Sequence, residues 1–158
     1  MYIDENLEVS AAAGTDTPQV LTTTAVSTSS IDLGSIRDVG EGRPLYFVTI
    51  VTTDFAGGTN MSVKSIISAA AALTGPRVVG DSVNYITALL KAEVSTGIRE
   101  GAGPIITPVG PLVWETGLQF LGVQYAITGT MSGGSAVRTH LVIDYDDAAK
   151  FYPSGFVV

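Results

Sequence analysis

The amino-acid sequence predicts an all-β protein, namely a jelly roll or antiparallel β-sandwich with extended terminal arms. Three observations lead to this prediction. Short runs of β-branched and aromatic residues recur along the chain, turns rich in glycine and proline separate them, and helical spacing is confined to one region. Short strands joined by such turns are typical of sandwiches and barrels.

The length and composition predict a single domain over residues 1–158, with residues 1–17 as an N-terminal arm and residues 145–158 as a C-terminal tail. A chain of this size can remove about 68–70% of its extended surface from water, so it needs no covalent staple. Only 15% of the residues are charged, against a usual share of about 25%. We therefore expect either few exposed faces or several faces buried against partners.

The charge pattern excludes some classes of partner. The net charge is −7 and the eight basic residues are scattered, whereas nucleic-acid binding requires a clustered basic surface. The absence of cysteine rules out disulfides and thiolate metal sites. The N-terminus is acidic and no apolar run approaches the length of a membrane span. We expect a protein made in the cytoplasm that binds neither nucleic acid nor membranes.

The N-terminal third contains weak strand signals. Residues 2–9 are predicted to form a short strand or arm anchored by Tyr2, Ile3, Leu7 and Val9, or else a frayed terminus. Residues 20–31 are rich in threonine and β-branched side chains, which suit a half-buried pleated surface.

Residues 45–52 give the strongest strand signal, and Pro44 stands at the strand entry, where no ladder donor is needed. Leu45, Phe47 and Val51 alternate with side chains that are also apolar. Because a half-solvated strand alternates apolar with polar residues, both faces are predicted to be covered. A second sheet would cover one face, and a loop, an arm or a neighbouring subunit the other.

Three further segments alternate as strands do. Residues 61–70 are predicted to bury one face and to form a hairpin with residues 45–52. Residues 118–128 and 136–144 are predicted as strands joined by the polar hairpin loop 129–135. Residues 82–97 carry apolar side chains at helical spacing but also fit a short strand at 89–94, and residues 98–113 are predicted to be a long ordered loop.

No candidate site supports catalysis, a cofactor or a metal. His140 is the only histidine and has no partner in sequence, so it is interpreted as a surface-facing strand residue. Asp144, Asp146 and Asp147 lack the spacing of a calcium loop. Asp32 and Asp38 flank Arg37, which favours a local ion pair over a partner contact. We therefore expect a protein that is not an enzyme.

Two segments resemble the capsid cement (decoration) proteins of tailed bacteriophages, of the jelly-roll type. Residues 28–51, TSSIDLGSIRDVGEGRPLYFVTIV, are similar to a signature in which a Ser/Thr-rich strand leads to IDLG, then RD-G-G, then an apolar strand. Residues 119–144, QFLGVQYAITGTMSGGSAVRTHLVID, resemble the family's closing hairpin, and GGTNMSVKSI is similar to a weaker element between them. Residues 75–115 match the family poorly, and Gln119-Phe120 stand where Arg-Tyr is expected.

The resemblance implies a structural virion protein on the outer surface of an icosahedral capsid. Such a protein would form a homotrimer near three-fold or quasi-three-fold positions and bridge subunits of the major capsid protein. Terminal aromatic and apolar residues and one loop are the predicted partner contacts. They are Tyr2, Ile3, Asp32, Arg37, Asp38, Phe151, Tyr152 and Phe156.

A carbohydrate-binding β-sandwich, lectin-like or receptor-binding, is the alternative interpretation. Trp114, Tyr125 and loop aspartates would line a shallow sugar site, although an aromatic residue in a β-protein belongs more often to the core. An enzyme of the jelly-roll class is disfavoured, because its metal sites usually need more than one imidazole.

Overall fold

The structure, a computed structural model, describes residues 7–11, 17–34, 44–92, 104–110 and 117–143. These residues form a sandwich of two antiparallel sheets, which confirms the all-β prediction. The strands are β1 (Gln19–Val20), β2 (Ala25–Val26), β3 (Ile31–Asp32), β4 (Leu45–Thr53), β5 (Asn60–Ser68), β6 (Arg77–Asp81), β7 (Tyr85–Ile86), β8 (Ile105–Val109), β9 (Phe120–Thr128) and β10 (Ala136–Ile143). The first sheet has the strand order β1-β10-β4-β8, and the second has β2-β9-β5-β6 with β3 beside β9 and β7 beside β5.

Both predicted hairpins are wrong, because the connections cross from one sheet to the other. β4 pairs with β10 and β8, whereas β5 pairs with β9, β6 and β7. Between β4 and β5 the chain buries Phe55 in the core and then turns through Gly57 and Gly58, which both have positive φ. β9 and β10 likewise lie in different sheets, so residues 129–135 span the sandwich end instead of closing a hairpin.

β4 lies at the centre of the first sheet and is apolar on both faces, as the sequence indicates. Phe47 and Val51 belong to the core between the sheets. Val48, on the opposite face, is fully buried and packs with Val142, Tyr46, Ile50 and Ile106. Since this burial exists within one chain, a neighbouring subunit is not needed to cover Val48.

The second sheet buries one face in the core, and the side chain of Leu73 packs on its other face. We call this contact the Leu73 peg. Met61 and Val63 of β5 and Leu121 and Val123 of β9 face the core, as predicted. On the outer face, the loop between β5 and β6 brings the fully buried Leu73 against Gly122. Ser68 Oγ donates to Thr74 O at 2.7 Å and Ser30 Oγ donates to Ala71 O at 2.9 Å, which fixes this loop.

Two regions between β6 and β9 differ from the sequence prediction. Within residues 82–92 there is no α-helix and no strand at 89–92; the chain forms β7 and then a 3-10 turn, Thr87–Leu89. Residues 98–113, predicted as a loop, contain the edge strand β8. Pro108 is tolerated in β8 because an edge strand leaves one row of backbone groups outside the ladder.

The sandwich is closed along one edge by the close approach of β6 and β8. Gly110 N donates to Val79 O at 2.9 Å, and Ser65 Oγ donates to Pro108 O at 2.5 Å. A Cβ on Gly80 would collide with Pro108 O, and one on Gly110 would collide with Val79 O. The two glycines are therefore required for the backbones to meet.

The opposite edge is closed by the N-terminal segment and by Gln19. Val9 N donates to Thr139 O at 2.9 Å, so residues 8–9 continue the edge that β1 begins beside β10. The Gln19 side chain donates to Val26 O at 2.7 Å and accepts from Thr28 N at 3.2 Å. One amide side chain thus links the first sheet to the second.

Candidate interaction surface

A chain of buried hydroxyl groups joins the N-terminal segment to both sheets. Tyr125 Oη, in β9, hydrogen bonds to Ser10 Oγ and lies 2.7 Å from Thr139 Oγ1 in β10. Thr139 Oγ1 lies in turn 2.7 Å from Thr49 Oγ1 in β4. Burial raises the pKa of Tyr125, so its hydroxyl stays protonated. The hydroxyl chain holds residue 10 and the two sheets in one register.

Tyr125 is fully buried, so it cannot stack on a sugar and the carbohydrate-binding interpretation loses this residue. Its other proposed aromatic residue, Trp114, lies outside the described residues. No group of three or more His, Asp or Glu side chains within the described ranges is placed to hold a metal ion. In the same part of the chain, no helix is long and apolar enough to cross a bilayer.

His140 is buried and does not face solvent, which corrects the sequence interpretation. It lies on the outer face of the first sheet, opposite Val48 on one side and bridged to Glu8 on the other. Arg138, on the same face of β10, has its Nη1 3.6 Å from Glu8 Oε1. Burial, and then the charge of Arg138, lower the pKa of His140 to about 4.

Of the predicted contact residues, only Asp32 is among those described. It is exposed at the end of β3, and its Oδ1 accepts a hydrogen bond from Gly34 N at 2.8 Å, as in a local turn. The others, Tyr2, Ile3, Arg37, Asp38, Phe151, Tyr152 and Phe156, lie outside the described residues, as do Asp144, Asp146 and Asp147. The ion pairs proposed for Arg37 and its aspartates therefore stay predictions.

A different surface emerges where four loops meet at one end of the sandwich. We call it the loop end and define it as residues 22–24, 56–59, 86–89 and 130–132. Thr87 Oγ1 donates to Gly57 O at 3.0 Å, and Gly58 N donates to Thr130 O at 2.9 Å. Met131 N donates to Thr22 O at 2.8 Å, which completes the row of four loops.

The loop end carries no charge where it meets solvent, and its exposed surface combines two large apolar side chains with small and hydroxyl-bearing ones. Ile86 is 56% exposed and Leu89 is 62% exposed, although large apolar side chains usually leave the surface when they can. The remaining loop-end residues are threonine, alanine, glycine, serine and methionine. The nearest charges along the chain, Asp54 and Lys91, pair with each other at 3.4 Å.

Sequence reasoning missed the loop end, although the sequence contains a signal for it. Four segments without any charged residue, 17–31, 55–63, 82–90 and 116–137, each supply one of its loops. Each segment alone is an ordinary gap between charges. Only the pairing of the strands shows that the four gaps meet.

The comparisons with known proteins assign the chain to a family. The family model described as Bbp16 matches residues 15–139, which is more than half of the chain and includes every described strand from β1 to β9 and half of β10. No curated protein matches the sequence significantly.

Proposed function

The chain belongs to the Bbp16 family, and we propose that it is a capsid cement protein. It would bind the outside of an icosahedral phage shell and bridge subunits of the major capsid protein. This proposal extends the resemblance of residues 28–51 and 119–144 to phage decoration proteins.

The observation that carries the proposal is the fixed display of apolar side chains on residues 82–92. Val83, Ile86 and Leu89 are 68%, 56% and 62% exposed. Thr87, between Ile86 and Leu89, and Leu90, directly after Leu89, are buried and hold the backbone in place. Three exposed apolar side chains within seven positions of one ordered segment form a denser group than the single exposed valines Val20 and Val78, and such a group favours a protein interface.

Cementing would work through multivalency. A protein that contacts several shell subunits at once gains retention of about 10²–10⁴-fold over a single contact. Because it would bind the assembled shell and not free subunits, it would stabilise the shell by mass action. A homotrimer serves this purpose, and we include it in the proposal on the strength of the resemblance alone, since one chain already buries β4.

The test is co-sedimentation of the purified full-length protein with expanded capsid shells that come from the same virus and do not contain this protein. We expect co-sedimentation with shells, no binding to unassembled capsid protein, and a higher melting temperature of the decorated shells. Light scattering of the free protein at micromolar concentration should give the mass of a trimer. Binding to free subunits but not to shells would contradict the cement function, and a monomer would contradict the trimer.

A further inference from the structure

We propose that the loop end docks on the shell and that its partner is an uncharged surface of a capsid subunit with an apolar patch that receives Ile86 and Leu89. This inference rests on the proposed cement function and adds to it the contact surface and the chemistry of the partner.

The loop end is preorganised for binding. The backbone of each loop is hydrogen bonded to another loop of the same surface: Thr87 N to Thr59 O at 3.2 Å, Gly58 N to Thr130 O at 2.9 Å, and Ser132 N to Ala56 O at 2.7 Å. Met131 is buried beneath this surface, where it meets Gly58. A surface fixed in this way loses little conformational entropy when a partner binds.

The loop end differs in charge from the chain as a whole. The chain carries a net charge of −7, yet the loop end contains no ionisable side chain, and Asp54 and Lys91 at its border neutralise each other at 3.4 Å. A basic partner would find no anion there, and an acidic partner would find no cation. The complement of this surface is therefore uncharged, and opposite Ile86 and Leu89 it is apolar.

The small number of exposed apolar side chains favours a shell subunit over a second copy of this chain as the partner. A contact between two copies through the large apolar side chains Ile86 and Leu89 would bury much less surface than the about 1,200–2,000 Å² that a stable isolated dimer buries. On a shell the same small contact is repeated at neighbouring positions, and repetition converts weak contacts into retention.

The experiment compares full-length wild-type protein with the variant Ile86→Thr/Leu89→Ser in co-sedimentation with undecorated shells. Both side chains are exposed, so we expect unchanged folding and about tenfold to a hundredfold weaker shell binding. The matched control is Val78→Thr on β6, which is 47% exposed and pairs with β5 about 20 Å along the strand from the loop end. It should bind as the wild type does.

Salt dependence gives a second readout of the partner's chemistry. Between about 0.05 M and about 0.5 M NaCl, the affinity of the wild type for shells should change less than about twofold, because no charge is screened. A steep loss of affinity with salt would show that charged groups carry the contact and would overturn the proposal of an uncharged partner surface.

The outcomes separate this inference from the cement function. Wild-type binding to shells with equal binding of the double variant would overturn the inference and leave the cement function standing. No binding of wild type to shells would overturn both. A smaller mass of the free double variant in light scattering would mean that the loop end joins copies of this chain, which also overturns the inference.

Discussion

Single residues at the centre of the sandwich form buried hydrogen bonds that the alternation of the strands does not predict. Tyr125 and Thr139 are placed on the core-facing side by their spacing, and the structure confirms that placement. The sequence could not show that their hydroxyls meet, because Tyr125 and Thr139 are in different sheets and the link between them depends on the crossover.

The hydroxyl chain yields a stability prediction. Tyr125→Phe should lower the free energy of unfolding by about 1–3 kcal/mol, because Ser10 and Thr139 lose a buried partner. Urea unfolding measures the change. In a double-mutant cycle with Thr139→Val, the coupling between the two sites should be about 0.5–3 kcal/mol, and purely additive effects would show that the hydrogen bond contributes nothing.

His140 yields a pH prediction. Its pKa is about 4 in the folded chain against an ordinary value of 6.5, so the unfolded chain binds a proton more readily than the folded chain does between these values. Stability from this residue is complete above pH 6.5, falls as the pH drops towards about 4, and changes no further below that. The total loss is on the order of 3 kcal/mol.

The control is His140→Gln, which does not titrate. Urea unfolding of both proteins is measured from neutral pH down to pH 4. Because the carboxylates titrate in both proteins, their contribution cancels in the difference between the two unfolding free energies. The unfolding free energy of the wild type should decrease relative to that of His140→Gln as the pH falls. A constant difference across this range would contradict the buried neutral histidine.

At the scale of elements, alternation predicted the faces of the long strands but not the partners of those strands. The core-facing residues of β5, β9 and β10 are those that the sequence indicated, whereas the two hairpins were wrong. An alternating pattern shows that one face of a strand is buried, but it does not show which sheet contains the strand. β8 was missed because its five residues include Pro108, which lowers the strand signal.

The Leu73 peg is the element whose contribution can be measured most directly. Leu73→Ala should cost about 2–5 kcal/mol of unfolding free energy, because Leu73 is 1% exposed and its loss leaves a cavity over β9. Gly122→Ala should also destabilise, since the new Cβ would lie 2.5 Å from Leu73 Cδ1 and 2.8 Å from Ser27 Oγ.

Combining the two changes distinguishes this contact from a general loss of stability. In Gly122→Ala/Leu73→Ala, the added methyl group occupies space that the leucine has vacated, so the double variant should be less destabilised than the sum of the single variants. Gly133→Ala, whose Cβ would meet nothing within 4 Å, is the matched control and should be near neutral. Additive losses would contradict the direct contact.

At the scale of the whole molecule, the sandwich was predictable and the interaction surface was not. Short strands and Gly/Pro turns were enough for the fold class, and the terminal residues predicted as contacts still stand as predictions. The loop end combines four charge-free stretches that are far apart in the chain, and their convergence depends on the same crossovers that made the hairpin predictions fail.

Those crossovers also affect how the chain is made. In the first sheet, β4 pairs only with β10 and β8 among the described strands, and β1 pairs with β10. A ribosome therefore releases β1 long before its partner β10, whereas β4 gains β8 on one edge before β10 follows on the other. Until β10 emerges, β1 and one edge of β4 are open to pairing with other nascent chains. Folding of the first sheet therefore waits for β10, the last of the described strands, and such pairing between distant parts of the chain is slow.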